Sequence, residues 1–248
     1  MIILKSEYEI AIMREANRIL AHLFEHLEPM IQPGITTIEL DREAELFIRS
    51  RGATPAFKGY RNYPATLCTS VNEEVVHGIP GPRVLEPGDI VSIDVGALLD
   101  GYYSDAARTF PVGAISPQAK KLLEVTRNSL EAGIAQAVPG NHLYDISAAV
   151  QKVAESGGFS VVRDFVGHGI GRSLHEAPQI PNFGKRGKGP ILQEGMTLAI
   201  EPMVNMGTHK VLIRSDGWTA VTEDSSLSAH FENSIAITKD GPLVLSAP

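Results

Sequence analysis

Ile90-Val91-Ser92-Ile93-Asp94-Val95 and the stretch from Tyr102 to Phe110 flank Asp100-Gly101, and these residues decide the fold. Asp-Gly between two β-type runs signals a type I′ hairpin, whose central residues take positive φ and whose twist matches the strands. With Asp100-Gly101 at the tip, Leu99 faces Tyr102, so Asp94 faces Ala107 and Asp105 faces Gly96. Side chains alternate between the faces of a strand. Asp94 and Asp105 therefore share a face as diagonal neighbours about 7–8 Å apart at their backbones, and their carboxylates can reach a common point. Asp94 also interrupts an apolar run, where an acid is costly unless paired. The hairpin alone is equally compatible with two solvated aspartates on an exposed face.

Helix pairs precede and follow the hairpin. Ser6-x-x-Glu9 is a capping box, with Ile10, Met13, Leu20, Leu23 and Leu27 at helical spacing up to Pro29 and Pro33-Gly34. Thr36-x-x-Glu39 caps a second helix with Ile38, Leu40, Ala44, Phe47 and Ile48 inward and Gly52 as its stop. Ser116-Pro117 then supplies an N-cap and N1 proline to a helix carrying Leu122, Leu123, Leu130 and Ile134. After Pro139-Gly140 a fourth helix carries Leu143, Ile146, Val150 and Val153 to Gly157-Gly158. The interval from Pro33 to Gly52 equals that from Pro139 to Gly158, and Leu40, Ala44 and Ile48 align with Ile146, Val150 and Ala154. This predicts an internal duplication, with pseudo-repeats over roughly 1–112 and 113–248. Further strands are expected at Thr197–Glu201, Trp218–Thr222, Ser228–Thr238 and Leu243–Ser246. Helices, strands, helices, strands is an α+β order, with a largely antiparallel sheet shared by both halves of one domain.

The 248 residues, 43% hydrophobic and 21% charged, suit a soluble globular protein, and a net charge of −7 argues against a dedicated nucleic-acid binder. The single cysteine, Cys68, rules out an intrachain disulfide. No signal-peptide pattern is present, and no apolar run approaches the roughly 18 residues of a membrane span. A cytoplasmic monomer is the expectation.

Three alternating glycines in Gly167-His168-Gly169-Ile170-Gly171 exclude a stable helix and permit close backbone approach around His168, and His175-Glu176 follows seven residues on. Glu201 ends a β-type run before Pro202, and Glu232 sits in His230-Phe231-Glu232-Asn233. Each acid alone is weak evidence. Together, Asp94, Asp105, Glu201 and Glu232 in one semi-buried site would need positive compensation. Arg108 is the one arginine or lysine near Asp105, and none lies within two positions of the other three. Two divalent cations would balance the four acids, and carboxylates with one imidazole are a hard donor set unlike a thiolate zinc site.

At this point a family resemblance is evident. Asn72-Glu73-x-x-x-His77-Gly78-Ile79-Pro80, Ile93-Asp94-Val95-Gly96, Ser104-Asp105, Gly167 to Gly171, His175-Glu176, Glu201-Pro202 and Glu232 resemble, in order and across the chain, the bacterial type I methionine aminopeptidases. The resemblance implies the pita-bread fold of creatinases and aminopeptidases, two pseudo-symmetric halves around a dinuclear metal site. It implies one metal on Asp94, Asp105 and Glu232 and another on Asp105, His168, Glu201 and Glu232, the ions being cobalt, manganese, iron or zinc. His77 and His175 would face the substrate, and Tyr60, Tyr63, Cys68, Leu174 and Trp218 would form a methionine pocket. Leu174 stands where other members have a larger residue, and Asn233 where many have histidine.

The implied reaction is removal of the initiator methionine from nascent polypeptide N-termini when the second residue is small. A water shared by two metals becomes acidic enough to attack the first peptide bond. Glu201 would move the proton and His175 would hold the oxyanion. An aminopeptidase of other specificity, or a non-catalytic member that binds a peptide or protein, shares the same fold. Cys68 reads as a pocket wall, having no basic partner nearby to make it a nucleophile. Lys185-Arg186-Gly187-Lys188 reads as a solvated loop, with transient contact to ribosomal RNA as its functional alternative.

Overall fold

Ser6 accepts the Glu9 N–H while Glu9 Oε2 takes the Ser6 N–H at 2.9 Å, so α1 (Glu7–Leu27) begins at its predicted capping box. The protein is described by a computed structural model covering residues 1–247. Thr36 and Glu39 cap α2 (Thr37–Ser50) in the same way. The chain continues through β1 (Thr54–Pro55), β2 (Leu67–Val71), β3 (Glu74–Val76), β4 (Ile90–Leu99) and β5 (Tyr102–Pro111). Ser116 then caps α3 (Pro117–Ile134), with Pro117 at its first turn. The cap of α4 (Leu143–Ser156) carries no typical capping residue, because His142 takes the part and Asp145 closes the box at 2.9 Å. The remaining strands are β6 (Ser160–Val161), β7 (Gly167–Gly169), β8 (Glu176–Ile180), β9 (Thr197–Ile200), β10 (Met203–Asn205), β11 (Val211–Ile213), β12 (Ala220–Thr222), β13 (Ser228–His230), β14 (Glu232–Thr238) and β15 (Gly241–Val244).

One large sheet runs β1-β4-β5-β14-β9-β7-β8, with β2 added on β4 and β15 on β14, and its pairings are antiparallel. Strand alternation gives it two unlike faces. Val91, Ile93, Val95 and Ala106 pack with Leu20, Leu23 and Leu27 of α1 and with Leu40 and Ile48 of α2. Leu198, Ile200, Ile235 and Ile237 pack with α3 and α4 through Leu122, Leu130, Ile146 and Val150. Burying each such side chain is worth about 1.5–3 kcal/mol, so helices hold this face firmly and leave the other free for polar residues.

The two halves match in their hydrogen bonds. Gly34 and Thr37 N–H donate to the Leu85 and Arg83 carbonyls, and Gly140 and Leu143 N–H donate to those of Leu192 and Pro190. Leu40, Ala44 and Ile48 are fully buried, as are their counterparts Ile146, Val150 and Ala154.

Three strand assignments change. Ser228–Thr238 is two strands rather than one, broken at Phe231. The Thr109 hydroxyl donates to the His230 carbonyl and accepts its N–H, occupying groups that a continuous ladder would use. β13 accordingly joins β10 in a small sheet, while β14 enters the large one. The strand expected from Trp218 begins at Ala220, because the Trp218 and Thr219 N–H groups both donate to Asp216 Oδ1 in a turn. The last strand is Gly241–Val244, two residues earlier than the run Leu243–Ser246. Among the described residues no helix is long and apolar enough to cross a membrane.

Candidate active site

The hairpin has the register its turn dictates, with Asp94 opposite Ala107 and Gly96 opposite Asp105. Ala107 in turn lies opposite Glu232 on β14. The β14–β9 ladder pairs Asn233 with Ile200, so extending it by one residue sets Glu201 beside Glu232. His168 on β7 faces Ala199 on β9. Asp94, Glu232 and Glu201 thus form a row across the face opposite α1–α4, with Asp105 and His168 one step along. One ligating atom each from Asp105, His168 and Glu232 lies within 4.8 Å of the others. His168 Nε2 is 3.7 Å from Asp105 Oδ2 and 3.5 Å from Glu201 Oε1.

Glycines hold this row together. A Cβ on Gly167 would come within 2.4 Å of the Ala199 carbonyl, and one on Gly169 within 2.2 Å of that of Ala177. Both obstacles are backbone and cannot swing away. His168 Nδ1 lies 2.9 Å from the Gly169 carbonyl, which fixes the N–H there and turns the Nε2 lone pair towards the acids. Gly169→Ala is expected to cost about 1–3 kcal/mol by overpacking and to displace His168. Urea unfolding measures the first effect and metal uptake the second. An alanine variant as stable as the parent would contradict the close approach.

The acids and imidazoles are desolvated together. Burial pushes Asp94 up to about 7, and burial plus neighbouring carboxylates pushes Asp105, Glu201 and Glu232 well above the ordinary range. Burial lowers His77 and His168 to about 4 and His230 to about 3. Raised acids contribute stability that is full below their unfolded pKa, about 4, and lost as pH climbs through the folded value. Depressed histidines contribute stability that is lost only as pH falls below about 6.5. Above that point the acids act alone. The melting temperature of chelated protein should therefore fall as pH rises above about 6.5, while that of protein loaded with divalent metal should not follow it. Parallel melting curves for the two forms would contradict the assignment.

The acids, with His77, His168 and His175, line one side of a cavity of about 160 Å³ whose other wall is Phe57, Tyr60, Tyr63, Cys68, Leu174 and Trp218. Tyr63 meets Trp218 edge-on at 5.1 Å, and its hydroxyl sits 3.0 Å from the Leu67 and Gly78 carbonyls, so the pocket sees carbon. Burial pushes the Cys68 thiol up, leaving it a neutral wall. His77, at φ 61, meets Trp218 edge-on at 6.3 Å. Tyr60 stacks on His175, with its hydroxyl 2.9 Å from Nδ1. The loop bearing Leu174 and His175 is tied down by the buried pair Lys5–Glu176, and Tyr103 N–H donates to the Gly171 carbonyl.

Known proteins share this arrangement over the whole chain. The model of metallopeptidase family M24 matches residues 11–239. The chain belongs to that family. It is 57% identical to methionine aminopeptidase of Clostridium perfringens over 99% of each chain, and 56% identical to methionine aminopeptidase 1 of Bacillus subtilis over 97% of each. The crystal structure of methionine aminopeptidase from Thermotoga maritima superposes with a TM-score of 0.98 at 47% identity, covering 100% of both chains. The fold is the pita-bread fold.

The M24 metallopeptidases use divalent metal, and the residues here fit one. Asp94 Oδ1, Asp105 Oδ1 and Glu232 Oε1 are buried without a hydrogen-bond partner among the described residues. Arg108, the one nearby base in the sequence, does not fill the gap. It projects from the opposite face of β5 and gives its N–H groups to the Ala107 and Glu232 carbonyls and to Asn233 Oδ1. Asn233 points the same way and plays no part in shaping the pocket. A larger, open groove of about 960 Å³ lined by Arg108, Arg127 and Lys120 lies on that far side and holds none of the four acids.

Sequence reasoning missed three site residues. Phe57 lines the pocket, and its signal was Gly96, where a Cβ would come within 2.8 Å of the Phe57 ring. Arg61, at the left-handed φ of 47, stands at the mouth. His230 is fully buried 3.7 Å from Glu201 Oε2. The loop Lys185–Lys188 is exposed and lies away from the site, with Arg186 and the Gly187 N–H on Asp145 Oδ1.

Proposed function

We propose that the chain is a methionine aminopeptidase that removes the first residue of nascent polypeptides when the second residue is small, using two divalent metal ions. Asp94, Asp105, His168, Glu201 and Glu232 would hold the ions. The observation that carries this reading is a set of buried carboxylate oxygens, without hydrogen-bond partners among the described residues, that share one small cavity with an aromatic and aliphatic wall. We take the chain as one catalytic domain built from two repeats, a cytoplasmic monomer, with Lys185–Lys188 as a solvated loop.

A bound divalent cation supplies Lewis acidity, lowering the pKa of water and polarising the scissile carbonyl. The protein's own groups do the rest. With the Tyr60 hydroxyl as hydrogen-bond donor to His175 Nδ1, 2.9 Å away, the ring's N–H would stand on Nε2, free for the developing oxyanion. Burial keeps His77 neutral, so it can hydrogen-bond the amide beside the scissile bond. Glu201, raised by burial, accepts the proton of the attacking water and passes it to the leaving amine. Tyr60, Tyr63, Cys68, Leu174 and Trp218 seat an unbranched, polarizable side chain.

Peptide cleavage tests this directly. With Mn²⁺ or Co²⁺ present, Met-Ala-Ser should be cut with the highest kcat/KM. Lys-Ala-Ser should be poorer by about a hundredfold or more, since its ammonium finds no partner in the pocket. Leu-Ala-Ser should be poorer by a smaller factor, because branching in an apolar pocket is worth only about 1–3 kcal/mol. Met-Lys-Ser should be refused for size at the second residue. A preference for Leu or Lys at the first residue would make the chain an aminopeptidase of other specificity. No release from any peptide would make it a binding protein.

A further inference from the structure

His230 is an orphan. It is 1% exposed, and neither ring nitrogen has a hydrogen-bond partner among the described residues. Its backbone is pinned on both sides, with the N–H on Thr109 Oγ1 at 2.9 Å and the carbonyl on the same hydroxyl at 2.8 Å. Thr109 is itself held by Ser92 Oγ at 2.9 Å, and His230 pairs with Met203 across β13 and β10. The imidazole therefore cannot reach a partner by moving its backbone. A buried ring nitrogen without a partner is costly and calls for an explanation.

Glu201 provides one. Its Oε2 lies 3.7 Å from His230 Nε2, while its Oε1 lies 3.5 Å from His168 Nε2. The carboxylate stands between two imidazoles, one facing each oxygen. The two are not equivalent. His168 is oriented by the Gly169 carbonyl and belongs to the group of atoms within 4.8 Å that includes Asp105 and Glu232. His230 lies outside that group and faces one oxygen only.

We infer that His230 is a positioning residue for Glu201: its Nε2–H donates to Oε2, orienting the carboxylate so that Oε1 is presented beside His168. Nδ1 has no partner among the described residues, so the neutral ring's one N–H is best placed on Nε2, where Oε2 can accept it, and the protonated ring carries it there as well. A rotation of the carboxylate that shortens the contact by about half an ångström brings it into hydrogen-bond range. Such a partner orients a ligating carboxylate and holds it ready to accept a proton. The inference rests on the metal reading above.

The test compares parent, H230Q, H230N and H230L by calorimetric titration of chelated protein with Mn²⁺, alongside kcat and KM for Met-Ala-Ser. Glutamine can donate from nearly the same reach and should keep Mn²⁺ affinity within about threefold. Asparagine is polar but too short, and leucine fills the space without a donor. Both should bind about 10–100-fold more weakly and lose kcat with little change in KM. Melting curves show that each variant is folded, and H230N carries the test if H230L is not. Parent-like Mn²⁺ affinity and kcat in a folded H230L or H230N would overturn the inference. So would a lower Mn²⁺ stoichiometry in H230Q, which would make His230 a ligand. A parent that takes up no Mn²⁺ would overturn the metal reading itself, and this inference with it.

Discussion

Exhaustive chelation abolishes peptide release, and Mn²⁺, Co²⁺ or Fe²⁺ restores it. The expectation follows from charge. Four carboxylates crowd one desolvated site, and the one arginine nearby gives its N–H groups to carbonyl oxygens on the other side of the sheet. Without a cation, burial and mutual repulsion favour the protonated forms of these acids. A protonated Glu201 cannot accept a proton from water, so losing metal removes the base as well as the Lewis acid. Metal binds the folded chain and not the unfolded one, so it should also raise stability by about 2.7 kcal/mol at a hundredfold excess over Kd. Activity and melting temperature should return together on titration. Full turnover in metal-free protein would end the two-metal reading.

The hairpin was the most legible part of this protein because a two-residue turn fixes the phase of both strands at once. Asp94 opposite Ala107 follows from Asp100-Gly101 with no knowledge of the rest of the chain. The same phase also places Arg108 on the face of Ala106, away from Asp105, so its failure to neutralise the acids was available from the sequence. Helix starts were readable for an equally local reason, since Ser6, Thr36 and Ser116 each satisfy a first-turn N–H.

Glu201 and Glu232 are different. Their adjacency depends on β14 pairing with both β5 and β9, partners more than thirty positions away in either case. No local propensity encodes that pairing, and the family resemblance alone joined these acids to the aspartates. The break at Phe231 was hidden for a related reason. Ser228 to Thr238 has a continuous β-type composition, and only the distant Thr109 hydroxyl diverts it. His230 went unremarked because its significance lies in the absence of a partner, which appears only when the surroundings are known.

His175→Ala should keep its metals and lose about 10²–10³ in kcat, the usual size of a missing oxyanion donor, or about 2.7–4 kcal/mol. Its position makes the split between metal and turnover sharp. The ring lies at a centroid distance of 4.3 Å from His168, yet its Nδ1 is taken by Tyr60 and it is absent from the group of Asp105, His168 and Glu232. Removing it should therefore leave Mn²⁺ stoichiometry intact. Tyr60→Phe gives a graded control. Without the Tyr60 hydroxyl the imidazole keeps its place but loses the partner that fixes its tautomer, so kcat should drop less than in His175→Ala. The loop itself is set by Lys5–Glu176, which neither substitution touches. Loss of metal from His175→Ala would make the residue a ligand rather than a substrate contact. An unchanged kcat would remove it from the reaction altogether.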